Sequence, residues 1–298
     1  MTRFLLLACA LALPLSAHAD DADNANCRHS DPRQLTLDMD GVSRVMFDVG
    51  PHKLRLDASP GATGALQGRA CASDADWLED LKVEQRRDGD RLHVRLYYDR
   101  TIRGLSLGRN YARLDLSGSI PDDVLVQLQV GAGDAWLTGA SSMSADVGSG
   151  DVEARRIAGL VTAKVASGDI DLDDIGALHV LSVGSGDVEA GNVRGDVEIG
   201  SIGSGDLEIH AIGGNAGIQS VGSGDASLHH VQGSVSIGSI GSGDVELREV
   251  GGSVTVNGIG SGDLEVRGVG GDLTVLGKGS GDVRHEGVTG QVDVPRRR

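Results

Sequence analysis

Gly241-Ser242-Gly243-Asp244-Val245-Glu246-Leu247-Arg248-Glu249-Val250-Gly251-Gly252-Ser253-Val254-Thr255-Val256-Asn257-Gly258-Ile259 is a segment that the chain repeats almost unchanged. Complete Gly-Ser-Gly-Asp corners open with Gly148-Ser149-Gly150-Asp151 and recur with the pairs Gly186-Asp187, Gly205-Asp206, Gly224-Asp225, Gly243-Asp244, Gly262-Asp263 and Gly281-Asp282. Gly131-Ala132-Gly133-Asp134 and Ala166-Ser167-Gly168-Asp169 are variants. The spacing grows from 17 to 18 and settles at 19 residues over nine units. Self-similarity at a fixed short period is the mark of a stacked repeat.

Counting from the opening residue of each unit, positions five and seven are apolar, as in Val188/Ala190, Leu207/Ile209, Val245/Leu247 and Leu264/Val266. The residue between them is polar, as in Glu189, Glu208, Glu246 and Glu265. Such alternation predicts a half-buried strand. Position ten is β-branched, from Ile157 to Val288, and position twelve is Gly or Ala in all but the first unit. A second alternating strand follows, as in Val235-Ser236-Ile237. Each unit thus carries two strands, two glycine corners and one apolar set that it cannot bury alone. Stacking units at ~4.8 Å per rung gives them a shared core. Glycine suits corners that need positive φ or close approach between turns. No proline interrupts residues 122–294, as an unbroken ladder of N–H groups requires. Helical coils are excluded, because the glycines penalise helix and the apolar period is two. The expected fold is all-β, a parallel β-solenoid of about nine rungs over residues 131–294.

Residues 20–130 read as a β-rich N-terminal cap. Leu35-Thr36-Leu37, Val45-Met46-Phe47, Lys53-Leu54-Arg55-Leu56 and Leu92-His93-Val94-Arg95-Leu96 alternate like strands, and Asp76 to Leu81 reads as a short helical turn. Val124 to Val130 leads into the repeats. A cap is expected because an open solenoid end pairs with other chains. At the far end, Lys278 and His285 replace aliphatics, as expected of an exposed last rung.

Residues 1–19 read as a signal peptide, with Arg3, the apolar run Phe4 to Leu15, and Ala17-His18-Ala19 as cleavage site. Cys9 sits too early in that run for a lipoprotein box. No later stretch approaches the ~20 apolar residues of a membrane span, so an exported protein of the periplasm or cell surface is expected. Cys27 and Cys71 then remain, and in an oxidising compartment they are expected to form a disulfide. Residues 131–298 hold 11 Lys and Arg against 24 Asp and Glu, which argues against nucleic acid as a partner. The basic tail of 295–298 is too short to change that.

Two readings fit the column Asp134, Asp151, Asp169, Asp187, Asp206, Asp225, Asp244, Asp263 and Asp282. In one, each carboxylate accepts hydrogen bonds from turn N–H groups, with the serine hydroxyl assisting. In the other, calcium bridges the column, with Asp187, Asp206, Asp225, Asp244 and Asp263 as its ligands. The nonapeptide calcium roll has a full turn of about 18 residues, but here Asp follows Gly directly and only half of each unit carries the motif. The local reading is favoured, and no cofactor is expected. His210 and His229 share position eight on consecutive rungs beside His230, with no third metal ligand evident. Arg155, Arg248 and Arg267 at position eight should exchange ion pairs with neighbouring rungs.

No catalytic site is expected. The repeated serines have no histidine at constant offset, and the corners lack the lysine and helix of a phosphate loop. An acidic-polysaccharide enzyme would need basic groups and aromatic platforms, yet no aromatic residue follows Trp136. Paired carboxylates for glycoside hydrolysis remain a lesser reading.

The Gly-Ser-Gly-Asp-Val/Leu-Glu units, entered through Ile120-Pro121, resemble a bacterial β-strand-repeat family of candidate adhesins, related to the auto-transporter-adhesin head domain. The resemblance covers about residues 35–294. It implies an exported, right-handed solenoid with no known enzymatic activity; the regular face is expected to meet an unidentified protein or cell-surface component. A calcium-binding roll is the alternative.

Overall fold

The computed structural model describes residues 27–99 and 110–295. The expected signal peptide and the arginines of the basic tail lie outside them. The chain is a β-solenoid of parallel stacked rungs.

The N-terminal region runs β1 (His29–Thr36), β2 (Arg44–Gly50), β3 (Lys53–Ala58), β4 (Ala65–Ala72), β5 (Leu81–Asp88), β6 (Arg91–Tyr98) and β7 (Ala112–Ile120). Next come β8 (Leu125–Val130), β9 (Asp134–Thr138), β10 (Ser142–Val147), β11 (Asp151–Val165) and β12 (Ile170–Val183). The regular rungs hold β13 (Val188–Val193), β14 (Val197–Ile202), β15 (Leu207–Ile212), β16 (Ala216–Val221), β17 (Ala226–Val231) and β18 (Val235–Ile240). The last are β19 (Val245–Val250), β20 (Val254–Ile259), β21 (Leu264–Val269), β22 (Leu273–Val275), β23 (Val283–Val288) and β24 (Val292–Asp293).

Two parallel ladders climb the molecule. One runs β3–β9–β11–β12–β13 and on through β15, β17, β19 and β21 to β23. The other runs β2–β8–β10–β11–β12–β14 and on through β16, β18, β20 and β22 to β24. The ladders therefore cross residue 130, and β2 with β3 form a rung of their own.

The register puts Val188, Leu207, Ala226, Val245 and Leu264 in one interior file, each no more than 1% exposed. Positions seven and ten give two more files, and Val197, Ile199 and Ile202 belong to three from the second strand. Each Val, Leu or Ile so buried contributes about 1.5–3 kcal/mol before ordering costs. At the far end the files run out. His285 is exposed, as expected, and Leu276 is 65% exposed. The Lys278 ammonium turns to the Gly281 carbonyl oxygen and lies 3.9 Å from Asp282.

The glycine corners are tight because the rungs approach each other there. A Cβ on Gly224 would lie 1.8 Å from the Gly205 carbonyl oxygen, a separation no side chain tolerates. Positive φ lies elsewhere. Position nine is left-handed in every regular rung, and six of its occupants are not glycine: Arg156, Asp174, Asn192, Ala211, His230 and Glu249. This residue puts positions eight and nine both outward, so position ten faces in again, as in the buried-exposed pattern of β15. Left-handed backbone costs a non-glycine residue roughly 1–2 kcal/mol, less for Asn and Asp. Gly268 and Gly287 fill the position without that cost.

At the N-terminal end, β6 pairs parallel with β2, and β7 with β3. These strands precede β2 and β3 in space although they follow them in sequence. Antiparallel β5 on β6, and β4 then β1 beyond β7, end both ladders. The helical turn is a 3-10 turn at Ala75–Trp77, slightly earlier than expected, because β5 already starts at Leu81. Cys27 and Cys71 form the expected disulfide, with Cα atoms 5.5 Å apart. His52, fully buried in the turn between β2 and β3, accepts the Leu114 N–H at Nδ1 (3.2 Å). Burial pushes its pKa down to about 4.

Candidate functional site

The aspartates of the corners form a ladder of their own. The N–H of Asp206 donates to Asp187 Oδ1 at 2.9 Å, that of Asp225 to Asp206 at 2.9 Å, and that of Asp244 to Asp225 at 2.8 Å. The pattern extends from Asp151 to Asp282. The acceptor is thus one rung away, whereas a turn within the same rung was expected. The reason is that the corner's own N–H groups are occupied: Ser204 and Gly205 both donate to the Gly184 carbonyl oxygen. The serines do not assist the carboxylates in the way expected; Ser242 and Ser261 hydroxyls instead meet each other at 3.2 Å. The N–H of Asp282, followed by nearby Arg284, holds the Asp263 carboxyl below the usual carboxylate range.

A second ladder sits at position thirteen, directly after the glycine of the other corner. Asn215 donates its N–H to Asp196 Oδ1 (2.7 Å), Ser234 to Asn215 Oδ1 (3.0 Å), and Ser253 to Ser234 Oγ (3.1 Å). Sequence reasoning missed it, because the position changes chemical type from rung to rung.

The outward face of the first strand carries the expected acid and base columns. Arg267 reaches across a rung to Glu246 at 3.3 Å. Most other pairs stay within a rung, as in Arg155–Glu153 at 2.7 Å and Arg267–Glu265. Exposed pairs of this kind contribute only a few tenths of a kcal/mol. Trp136 stands at the foot of this face with the Arg55 guanidinium 4.2 Å from its ring centre.

A groove of about 820 Å³ lies beside the left-handed column. It runs from Asp174 to Thr289, and positions nine to eleven of seven consecutive rungs line it. Small residues open it: Ala211, Gly213, Gly251, Gly268, Gly270 and Gly287 all lie along its floor. Its rim mixes charges. Arg194 pairs with Asp174 and donates to the Ile157 and Ala158 carbonyl oxygens at 3.0 Å, stitching three rungs together. His230 meets Glu249 at 3.1 Å. The sequence expectation placed the distinctive chemistry on the Asp column and did not find this groove; the two outward positions between seven and ten were its signal.

His210 and His229 pair in register on β15 and β17, as the shared position implied. His230 does not join them, because its left-handed backbone turns it toward the groove. Glu208, two residues before His210 on the same outward face, supplies the neighbour that the sequence left unidentified.

Among the described residues no helix is long and apolar enough to cross a membrane. Neither a protein-family model nor a curated protein matches this sequence. Solved structures with similarity include a candidate cell adhesion protein from Clostridium sporogenes (11% identity, TM-score 0.27, covering 88% of this chain and 100% of that one). A candidate adhesin from Bacteroides fragilis aligns at 13% identity and TM-score 0.34, covering 90% of this chain and 98% of its own. A candidate lipid-binding protein from Parabacteroides distasonis aligns at 14% identity and TM-score 0.42, covering 89% and 97%.

Proposed function

We propose that the protein is an exported, non-enzymatic, adhesin-like solenoid of the cell envelope, which offers its longitudinal groove to an extended partner. The observation that carries this reading is the groove's construction from the same three positions of seven successive rungs. A surface so built repeats its backbone from rung to rung, whereas catalysis needs a singular arrangement of groups. The groove is concave, lined in part by glycine and alanine, and edged by the pairs Arg194–Asp174 and His230–Glu249. That combination suits an unbranched polymer, peptide or glycan, lying along the axis. The disulfide accords with an oxidising compartment.

Binding to immobilised peptidoglycan, lipopolysaccharide, collagen and fibronectin tests this. The wild type is compared with a variant lacking residues 222–240, one whole rung, and with Arg194→Ala. Saturable binding to one component is expected, with graded weakening in both variants. Abolition by the single substitution would mark a discrete site, and silence across the panel would remove the adhesive role.

A further inference from the structure

Glu208, His210 and His229 bring three metal-ligating side chains together on the outward strand face, away from the groove. Their ligand atoms all lie within 4.8 Å of one another, and no other such trio occurs among the described residues. His210 Nε2 already meets Glu208 Oε1 at 2.9 Å. The two imidazoles stack with ring centres 4.8 Å apart, the rung spacing itself. We infer that Glu208, His210 and His229 form a surface site for a divalent transition-metal cation of the zinc class, with a fourth position open to water.

The chemistry of the donors suits that cation. Two neutral imidazoles and one carboxylate, with one position left for solvent, are an open zinc set. Bonds of about 2.0–2.2 Å would bring the donors to within ~3.4 Å of each other in a tetrahedron, so the side chains, exposed or half-buried, need to close by up to roughly 1.4 Å. The backbone need not move, since both histidines sit on paired strands. The cation would take the place now held by the proton between His210 and Glu208. Ser227, in register with Glu208, adds a hydroxyl beside the carboxylate. Arg248 follows His229 in the column but is occupied by Glu246 at 2.6 Å.

Calorimetric titration of zinc chloride into the disulfide-intact protein, purified without a histidine tag, tests the inference. One saturable zinc per chain is expected. His210→Ala and His229→Ala should each weaken it at least about tenfold, as loss of a ligand costs no less than loss of its outer-shell support. His230→Ala, adjacent in sequence but facing the groove, should leave it unchanged. Cobalt loaded into the same protein should give the intense visible absorption of tetrahedral coordination, and His229→Ala should reduce it. Absence of saturable zinc binding would overturn the site, and so would binding that survives the His210→Ala/His229→Ala double variant. All of these side chains project outward, so circular dichroism should show every variant folded, and this outcome does not depend on whether the groove binds a polymer.

Discussion

The two ends of the molecule are held in different ways. The N-terminal cap adds to its apolar core features that occur once among the described residues: a disulfide, a buried histidine, and Arg33, which ties β1 to the Leu78 and Leu81 carbonyl oxygens at 2.6 and 3.1 Å. In the regular rungs the backbone ladder and the interior files are copied above and below. The difference teaches where a substitution should act sharply. In the cap, loss of one group removes the whole feature. In the rungs, loss of one hydrogen bond leaves its neighbours intact, and only a change that forces rungs apart is severe.

Gly224→Ala should therefore have the largest effect, and it lies in the regular region. Its Cβ would meet the Gly205 carbonyl oxygen at 1.8 Å, and neither backbone can retreat without opening both adjoining rungs. A loss of about 4 kcal/mol or more is expected. Hydrogen exchange should show it as local opening around residues 205 and 224, and unaltered protection there would mean the stack is looser than its register implies.

The disulfide comes next. Cys27→Ala with Cys71→Ala removes a cross-link between positions 44 residues apart, worth about 4 kcal/mol in the chain-entropy account and less if strain enters. Trp77 packs against the core within the cap and Trp136 stands at the first repeat, so their fluorescence reports the two regions separately. The double variant should unfold at Trp77 first; coincident transitions would show that cap and rungs melt as one unit.

His52 sits at the junction and should make that junction acid-sensitive. Its folded pKa of about 4 lies below the ordinary 6.5, so between these values the unfolded chain binds the extra proton. Stability is then lost as pH falls from 6.5 towards 4 and regained as it rises, by roughly 3 kcal/mol in all. His52→Gln, which can still accept the Leu114 N–H, should flatten the pH dependence of the denaturation midpoint in that window. An unchanged slope would assign the sensitivity to other groups.

The regular region was the legible one. Positions five, seven and ten announce the interior files, because an apolar side chain in every copy has no other explanation. The left-handed column was hidden, since Arg156, Asn192, Ala211 and Glu249 share no chemistry; only Gly268 and Gly287 hinted at it. Within the cap the individual strands were readable and their order was not. No local pattern reveals that β6 and β7 lie beneath β2 and β3, because that pairing spans more than 40 residues of chain. Glu208 was missed because sequence adjacency singled out His230, whereas the outward face of the strand runs through every second residue.

The smallest effect separates the two ladders within the rungs. At position thirteen, Asp, Asn and Ser all accept from the next rung's N–H, so that task needs no charge. At the Gly-Ser-Gly-Asp corner the acceptor is Asp in each rung. If the hydrogen bond is its whole purpose, Asp225→Asn keeps an acceptor and relieves like-charge stacking, and the melting midpoint should hold or rise slightly. Asp225→Ala leaves the Asp244 N–H without its partner and should cost about 1 kcal/mol. Calcium or chelator should then shift neither wild type nor Asp225→Asn. A wild-type midpoint that rises with calcium, and falls back in Asp225→Asn, would instead make the column a cation stack whose charge is its function, and the two ladders would be alike only in geometry.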